Sequence, residues 1–215
     1  MSDCCLWANT DSYIFIDSRV KKKFLFYFIA MKVVIIPGNG GGSVERSNWY
    51  ASVRDELSAD KRITSVTLRD MPDPVFARES NWLPFMRDVL QCDKDTVIIG
   101  HSSGAAAGMR YAESHAVGGL VLVSAYVSDL GDETERESGY FNRPWQWDKI
   151  RQNAGFIVQF GSSDDPFLPW SAQQAVADGL HADLKQYNNR GHFMNSRFKE
   201  LVETVVHYVG SKPVS

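Results

Sequence analysis

From residue 31 onward, short β-branched and apolar runs alternate with segments whose apolar residues recur at helical spacing. The apolar runs predict six strands, at 33–36, 63–68, 96–99, 119–123, 156–160 and 184–187. The segments between and after them predict helices near 49–57, 79–90, 103–115, 171–180 and 197–209. Four of the strands are apolar almost throughout, which is typical of a parallel sheet covered on both faces. The pattern therefore predicts an α/β fold in three layers: about six parallel strands with helices on both faces.

Residues 1–30 do not share this pattern. They are polar up to Asp17, carry lysines at 21–23 and end in an apolar run at 24–30. A secretory signal needs a basic start and a small-residue cleavage site, whereas these lysines lie about twenty residues in and no Ala-x-Ala follows. The apolar stretch is interrupted by Lys32 and is shorter than the roughly 20 residues that span a membrane. We expect an N-terminal extension outside the fold, 1–30, and one domain, 31–215.

Composition narrows the class of protein. The 215 residues are 44% hydrophobic and 23% charged, a balance typical of a globular chain. The net charge is −3, and no basic stripe beyond the three lysines favours nucleic acid. Cys4, Cys5 and Cys92 form neither a disulfide framework nor a zinc motif. We expect a cytoplasmic or otherwise intracellular protein, the nucleus included, with no cofactor, no metal and no nucleic-acid partner.

One sequence motif indicates a catalytic function. Gly-His-Ser-Ser-Gly at 100–104 follows a predicted strand and opens a predicted helix. Gly-x-Ser-x-Gly in this context is the nucleophile elbow, a sharp turn that exposes the serine hydroxyl at the start of a helix. The positive end of that helix favours developing negative charge. The pattern therefore predicts Ser102 as a nucleophile, although a glycine-lined turn with an incidental serine shares it.

A serine nucleophile needs a histidine as its base. His101 adjoins the nucleophile, but adjacent side chains at such a turn point apart. His115 and His181 lie near predicted helix ends, and His207 lies within a helix. His192 follows the last predicted strand in a turn-rich loop, at the same sheet edge as the serine. We therefore expect His192 to be the base.

The imidazole in turn needs a carboxylate to fix its tautomer. Asp164 and Asp165 follow the penultimate predicted strand, again at that edge. The spacing does not decide between them. The chain order serine, aspartate, histidine is that of the α/β-hydrolases and differs from those of chymotrypsin and subtilisin.

An acyl-transfer site also needs donors for an oxyanion. The glycine-rich loop 37–42 follows the first strand, and we expect backbone N–H groups of Asn39 and Ser103 to form the oxyanion hole. A dinucleotide fingerprint starting at Gly38 or Gly40 is broken at Ser43 or Glu45. The Gly-Lys-Ser/Thr of a phosphate loop is absent.

The connection between the strands ending near 124 and starting at 156 is about thirty residues long and rich in aromatic residues. Loops of this length are usually functional or disordered. We expect a short, partly helical flap, 125–155, over the sheet edge where ligands bind. Aromatic residues in and near it are candidates for a substrate pocket, although each is individually typical of a core: Trp82, Trp145, Trp147, Phe167 and Trp170.

The chain from Met31 onward resembles the small serine hydrolases of the α/β-hydrolase superfamily over about 185 residues. The resemblance implies Ser102 as nucleophile, Asp165 as acid and His192 as base, and so prefers Asp165 to Asp164. Residues 1–30 have no counterpart. The stretches that carry it are Val34-Ile-Ile-Pro-Gly-Asn-Gly-Gly-Gly42, Met71-Pro-Asp-Pro74, Ala77-Arg-Glu-Ser80, Trp82-Leu-Pro-Phe-Met86, Ile98-Ile-Gly-His-Ser-Ser-Gly104, Met109-Arg-Tyr-Ala-Glu113, Leu122-Val-Ser-Ala-Tyr126, Gly139-Tyr-Phe141, Arg143-Pro-Trp-Gln-Trp147, Val158-Gln-Phe-Gly161 and Asp164-Asp-Pro-Phe-Leu-Pro-Trp170.

The resemblance also covers a Leu-x-Cys-x-Glu segment proposed to bind the pocket of the retinoblastoma protein. The matching residues here are Leu90, Cys92 and Lys94, and Lys94 reverses the charge of the glutamate. We therefore expect no retinoblastoma-type pocket binding through this segment.

Together these residues predict a serine hydrolase that cleaves a carboxylic ester or amide of a small hydrophobic substrate through an acyl-enzyme on Ser102. The other interpretation is a non-catalytic, protein-binding scaffold on a hydrolase fold, because a fold does not determine function.

Overall fold

A computed structural model describes residues 8–9, 12–17, 22–27, 31–40 and 42–210. Cys4, Cys5 and Lys21, which the sequence analysis discusses, lie outside the described residues. None of the helices in these ranges is both long and apolar enough to cross a membrane.

The described strands form two sheets. The strands are β1 (Ala8–Asn9), β2 (Ser12–Asp17), β3 (Lys22–Tyr27), β4 (Met31–Ile36), β5 (Ile63–Leu68), β6 (Thr96–His101), β7 (Gly119–Val123), β8 (Ile157–Ser162) and β9 (Asp183–Tyr187). The larger sheet contains six strands in the order β5-β4-β6-β7-β8-β9, and every neighbouring pair in it is parallel. The smaller sheet joins β1, β2 and β3 in antiparallel pairs.

Within the described residues, seven α-helices accompany the strands, together with a short 3₁₀ helix at Val44–Arg46. They are α1 (Tyr50–Ser58), α2 (Glu79–Asp88), α3 (Ser103–Ala112), α4 (Glu133–Ser138), α5 (Trp147–Asn153), α6 (Trp170–Leu180) and α7 (Lys199–Gly210).

The central strands are buried on both faces, because alternate side chains enter two separate cores. Val34 and Ile36 pack into the core beneath α2, α3, α5 and α6. Val33 and Ile35 pack into the opposite core, beneath α1 and α7. The predicted three-layer α/β architecture, with six parallel strands and helices on both faces, is confirmed.

The strands of residues 1–30 were not anticipated by the sequence analysis. They pair with one another, and the described strand pairs include none between β1, β2 or β3 and the six-stranded sheet. The division into an extension, 1–30, and a domain, 31–215, stays a prediction.

The flap is held to the domain by a buried arginine on α3. Arg110 is 1% exposed and forms an ion pair at 2.5 Å with Glu113, which is 6% exposed. Its guanidinium donates to the carbonyl oxygens of Tyr140, Arg143 and Pro144 in the flap. Because buried charges need partners on every polar atom, these bonds hold the aromatic segment of the flap in one position.

Replacing Arg110 with methionine is expected to lower the free energy of unfolding by about 3 kcal/mol, because the buried Glu113 carboxylate loses its close ion-pair partner and keeps only Arg143, whose Nη2 lies 3.7 Å from Glu113 Oε2. Urea unfolding of wild type and variant measures the change. The matched control is Arg87→Met on α2, where the arginine side chain is 55% exposed, and the urea midpoint is expected to stay close to that of wild type. Equal unfolding midpoints for wild type and Arg110→Met would contradict this role.

Candidate active site

Ser102 occupies a strained turn between β6 and α3. Its backbone angles are φ 55° and ψ −119°, a conformation that non-glycine residues rarely adopt and that costs about 1 to 3 kcal/mol. The turn is tight: a Cβ at Gly100 would lie 2.4 Å from the Gly104 carbonyl oxygen, and one at Gly104 would lie 2.3 Å from the Ile36 carbonyl oxygen. Both glycines are therefore required by the close approach of β6, α3 and β4.

The loop after β4 lies against this turn. A Cβ at Gly38 would be 3.2 Å from the Cβ of Ser102. The backbone N–H groups of Asn39 and Ser103 donate no hydrogen bond to any other residue in the described ranges. These two N–H groups, one of them at the start of α3, are therefore available as hydrogen-bond donors.

The side chains of His192, in the loop after β9, and Asp165, in the loop after β8, are in hydrogen-bond contact. His192 Nδ1 lies 2.8 Å from Asp165 Oδ2, and the two side chains are 10% and 0% exposed. Since a carboxylate accepts, Nδ1 carries the proton and Nε2 is the nitrogen free to act on a substrate or nucleophile.

Asp165 is held by further donors. Ser124 Oγ donates to Oδ2 at 3.1 Å, and the amides of Phe167 and Leu168 donate to Oδ1 at 2.9 and 3.1 Å. Burial by itself raises the pKa of Asp165, but the hydrogen bond and charge of His192, with the two amides, outweigh it and lower the pKa below its ordinary value. The carboxylate is thus kept ionised and fixed in direction.

Asp164 has a different place. It is exposed, and it accepts hydrogen bonds from Ser162 Oγ at 2.5 Å and the Gly191 amide at 3.0 Å. It joins the loop after β8 to the loop after β9 without touching the imidazole. The structure therefore brings Asp165, and not Asp164, to His192.

Ser102 and His192 line one cavity of about 680 Å³. In the part of the chain described, the Ser102 hydroxyl makes no hydrogen bond to the imidazole. Hydrogen bonds of this kind are often long before a substrate binds. Asn39, Phe167 and Glu135 line the same cavity.

His101 was expected to pack away from the nucleophile, and its position is more specific than that. Its Nε2 lies 2.9 Å from the His192 carbonyl oxygen, which only accepts, so Nε2 carries the proton and Nδ1 accepts from Tyr50 Oη at 2.6 Å. Tyr50 Oη also accepts from the Gly38 amide at 3.1 Å. His101 therefore connects the loop of the proposed base to the loop of the proposed oxyanion hole.

Glu135, on α4 in the flap, was missed by the sequence analysis. Its Oε1 accepts from Asn39 Nδ2 at 3.0 Å and from Ser103 Oγ at 3.5 Å, and Oε2 accepts from the Tyr126 hydroxyl. Burial is the main cause that raises the pKa of Glu135. The carboxylate binds the side chains of both proposed oxyanion-hole residues, so it fixes the flap against that part of the site.

Of the five predicted pocket aromatics, the structure brings Phe167 alone to this cavity. Its ring meets the His192 ring edge-on, with centroids 5.0 Å apart. The prediction is corrected for the other four, whose rings pack elsewhere. Trp82 is fully buried, and its indole N–H donates to the Pro72 carbonyl oxygen. The Trp145 ring lies over the Arg110 guanidinium and stacks on Trp147. The Trp170 ring lies against Gly161.

The Leu-x-Cys segment is not presented to solvent. Leu90 and Cys92 are 8% and 7% exposed, and burial raises the pKa of the Cys92 thiol to about 12. Lys94 is exposed and pairs with Asp95. The absence of pocket binding through this segment stays a prediction, and the burial of its apolar residues supports it.

No group of three or more histidine, cysteine, aspartate or glutamate side chains that could hold a metal ion is found within the described ranges.

Comparison with known proteins gives a family and a fold. The family model for serine hydrolases matches residues 33–207. The chain is 59% identical to serine hydrolase RBBP9 of Rattus norvegicus over 174 residues, which cover 81% of this chain and 93% of that protein. The crystal structure of the ydeN gene product of Bacillus subtilis superimposes with a TM-score of 0.75 at 24% identity, over 84% of this chain and all of that one.

A more distant structure is similar over nearly the whole chain. MGS-M2, an α/β-hydrolase enzyme from a deep-sea metagenome library, matches with a TM-score of 0.61 at 14% identity, covering 98% of this chain and 99% of its own. At such identity the likeness concerns the fold, which is that of the α/β-hydrolases.

Titration of His101 is expected to make folding sensitive to acid. Burial, with a smaller effect of His192, lowers the pKa of His101 from 6.5 to about 3 in the folded protein. Between pH 6.5 and about pH 3, His101 is therefore protonated in the unfolded state and neutral in the folded state. The free energy of unfolding therefore falls as pH drops from 6.5 towards 3, by up to about 1.4 kcal/mol per pH unit.

Urea unfolding at several pH values measures this slope. His101→Gln is expected to reduce it between pH 6 and pH 4, and His181→Gln, which removes an exposed histidine, is the matched control. A slope as steep in His101→Gln as in wild type would contradict the assignment.

Proposed function

The chain belongs to the serine hydrolase family, and on that premise we propose that it cleaves a carboxylic ester or amide of a small hydrophobic substrate through an acyl-enzyme on Ser102. The observation that carries the proposal is the hydrogen bond of 2.8 Å from His192 Nδ1 to the buried carboxylate of Asp165, together with the cavity that His192 lines with the strained serine. A buried carboxylate aimed at an imidazole orients a base.

The first half of the proposed reaction forms the acyl-enzyme. His192 Nε2 takes the proton of Ser102 Oγ as the oxygen attacks the substrate carbonyl carbon. The carbonyl oxygen becomes an oxyanion, which the N–H groups of Asn39 and Ser103 bind. When the tetrahedral intermediate collapses, the bond to the leaving oxygen or nitrogen breaks and His192 gives that atom the proton.

The second half releases the product. Water loses a proton to His192 Nε2 and attacks the acyl carbon, and the proton returns to Ser102 Oγ as its bond to carbon breaks. Asp165 keeps the proton on His192 Nδ1 throughout and stabilises the imidazolium in both halves. Each step uses side chains of this chain and water.

We further propose a reducing intracellular compartment, the cytoplasm or the nucleus. The low cysteine count supports it, as does Cys92, which is buried as a free thiol.

Ser102→Ala is expected to lower kcat for a p-nitrophenyl ester by roughly 10⁶-fold and to abolish labelling by a fluorophosphonate probe, because the nucleophile is removed. Ser80→Ala, at an exposed serine on α2, is the control and keeps both. Full turnover without the Ser102 hydroxyl would overturn the acyl-enzyme. A wild-type protein that neither labels nor hydrolyses would indicate a non-catalytic scaffold.

Asp165→Asn is expected to lower kcat by about 10⁴-fold, because an amide no longer holds the histidine in the required tautomer. Asp164→Asn is the adjacent control. Its oxygen still accepts from the Gly191 amide, so kcat is expected to stay within about tenfold of wild type. Steady-state kinetics with one ester measures both, and a larger loss in Asp164→Asn would refute the assignment of the acid.

A further inference from the structure

Exposed apolar side chains are concentrated around the cavity that contains Ser102. Five large hydrophobic residues are strongly exposed in the described part of the chain, and four of them line this cavity. We call these four the apolar rim: Val75 (53% exposed), Leu130 (41%), Phe167 (62%) and Met194 (59%). Single exposed apolar residues are ordinary, whereas apolar residues gathered at one cleft mark a binding surface.

The apolar rim lies on or beside the loops that contain the residues of the proposed reaction. Phe167 lies two residues after Asp165, and Met194 lies two residues after His192. Val75 follows Pro74, whose carbonyl oxygen accepts the Gly40 amide at 3.0 Å. Leu130 belongs to the flap. The rim and Ser102 therefore line one cavity that opens to the protein surface.

Leu130 has an unfavourable backbone conformation. Its φ is 52°, in the left-handed region that a leucine rarely adopts. A tight turn holds it, because Asp129 accepts from the Gly131 and Asp132 amides. Neither burial nor backbone preference accounts for a leucine here, since glycine or asparagine suits this conformation better.

We propose that the apolar rim binds an aliphatic chain or aromatic ring of the substrate that projects out of the cavity, so that the substrate is an ester or amide with an extended apolar substituent. This inference rests on the proposed function and adds the size of the substrate to it. The substituent covers the rim and leaves the carbonyl carbon beside Ser102.

Two ester series test the proposal below the micelle concentration: p-nitrophenyl esters with acyl chains of increasing length, and acetate esters of alcohols of increasing length. In at least one series the wild-type kcat/KM is expected to rise roughly two- to fourfold per methylene, as for partial to full burial of each group. Leu130→Ser and Met194→Ser are expected to flatten that rise. Val89→Ser, at the exposed hydrophobic residue outside the rim, is the matched control and keeps it.

Two results would overturn the proposal: a flat dependence on chain length in both series, or a rise that Leu130→Ser and Met194→Ser leave unchanged. The latter would assign the rim to another occupant, such as a second protein. Fluorophosphonate labelling and turnover of p-nitrophenyl acetate are measured in every variant. They report the Ser102 chemistry separately, so failure of the rim proposal is distinguishable from failure of the proposed function.

Discussion

The backbone of Ser102 is forced into its strained turn by the distance between three elements. The end of β4, the end of β6 and the start of α3 approach so closely that a methyl group at Gly104 would lie 2.3 Å from the Ile36 carbonyl oxygen. The same approach brings the loop after β4 against the serine and leaves the Ser103 amide free at the start of a helix. The packing of the two apolar cores on the sheet stabilises this arrangement against the strain, which amounts to about 1 to 3 kcal/mol.

Two buried polar connections then align the remaining loops with that turn. Tyr50 and His101 join the loop of Gly38 to the loop of His192, and Glu135 joins the flap to Asn39 and Ser103. Each connection holds parts of the chain that are far apart in sequence. The geometry of the site therefore depends on side chains that take no direct part in the proposed reaction, and the apolar rim lies on the same loops.

Much of the fold and the nucleophile turn could be predicted from the sequence, because apolar strands and Gly-x-Ser-x-Gly are local signals. The roles of Ser102, Asp165 and His192 remain proposals. The spacing did not separate Asp164 from Asp165, since adjacent residues differ only in side-chain direction. Aromatic content did not show which aromatic rings line the cavity of Ser102, because partners distant in sequence decide it: the Trp145 ring, for example, lies over the guanidinium of Arg110. Glu135 has no local signal, since two of its three partners, Asn39 and Ser103, lie in distant segments of the chain.

The most direct test of the proposed catalytic geometry is a crystal structure of the protein after reaction with a fluorophosphonate. The account predicts phosphorus bonded to Ser102 Oγ and the phosphoryl oxygen about 2.7 to 3.1 Å from both the Asn39 and the Ser103 amide nitrogens. His192 Nε2 would face the oxygen of the serine or of the alkoxy group. Phosphorus on another residue, or a phosphoryl oxygen turned away from both amides, would contradict it.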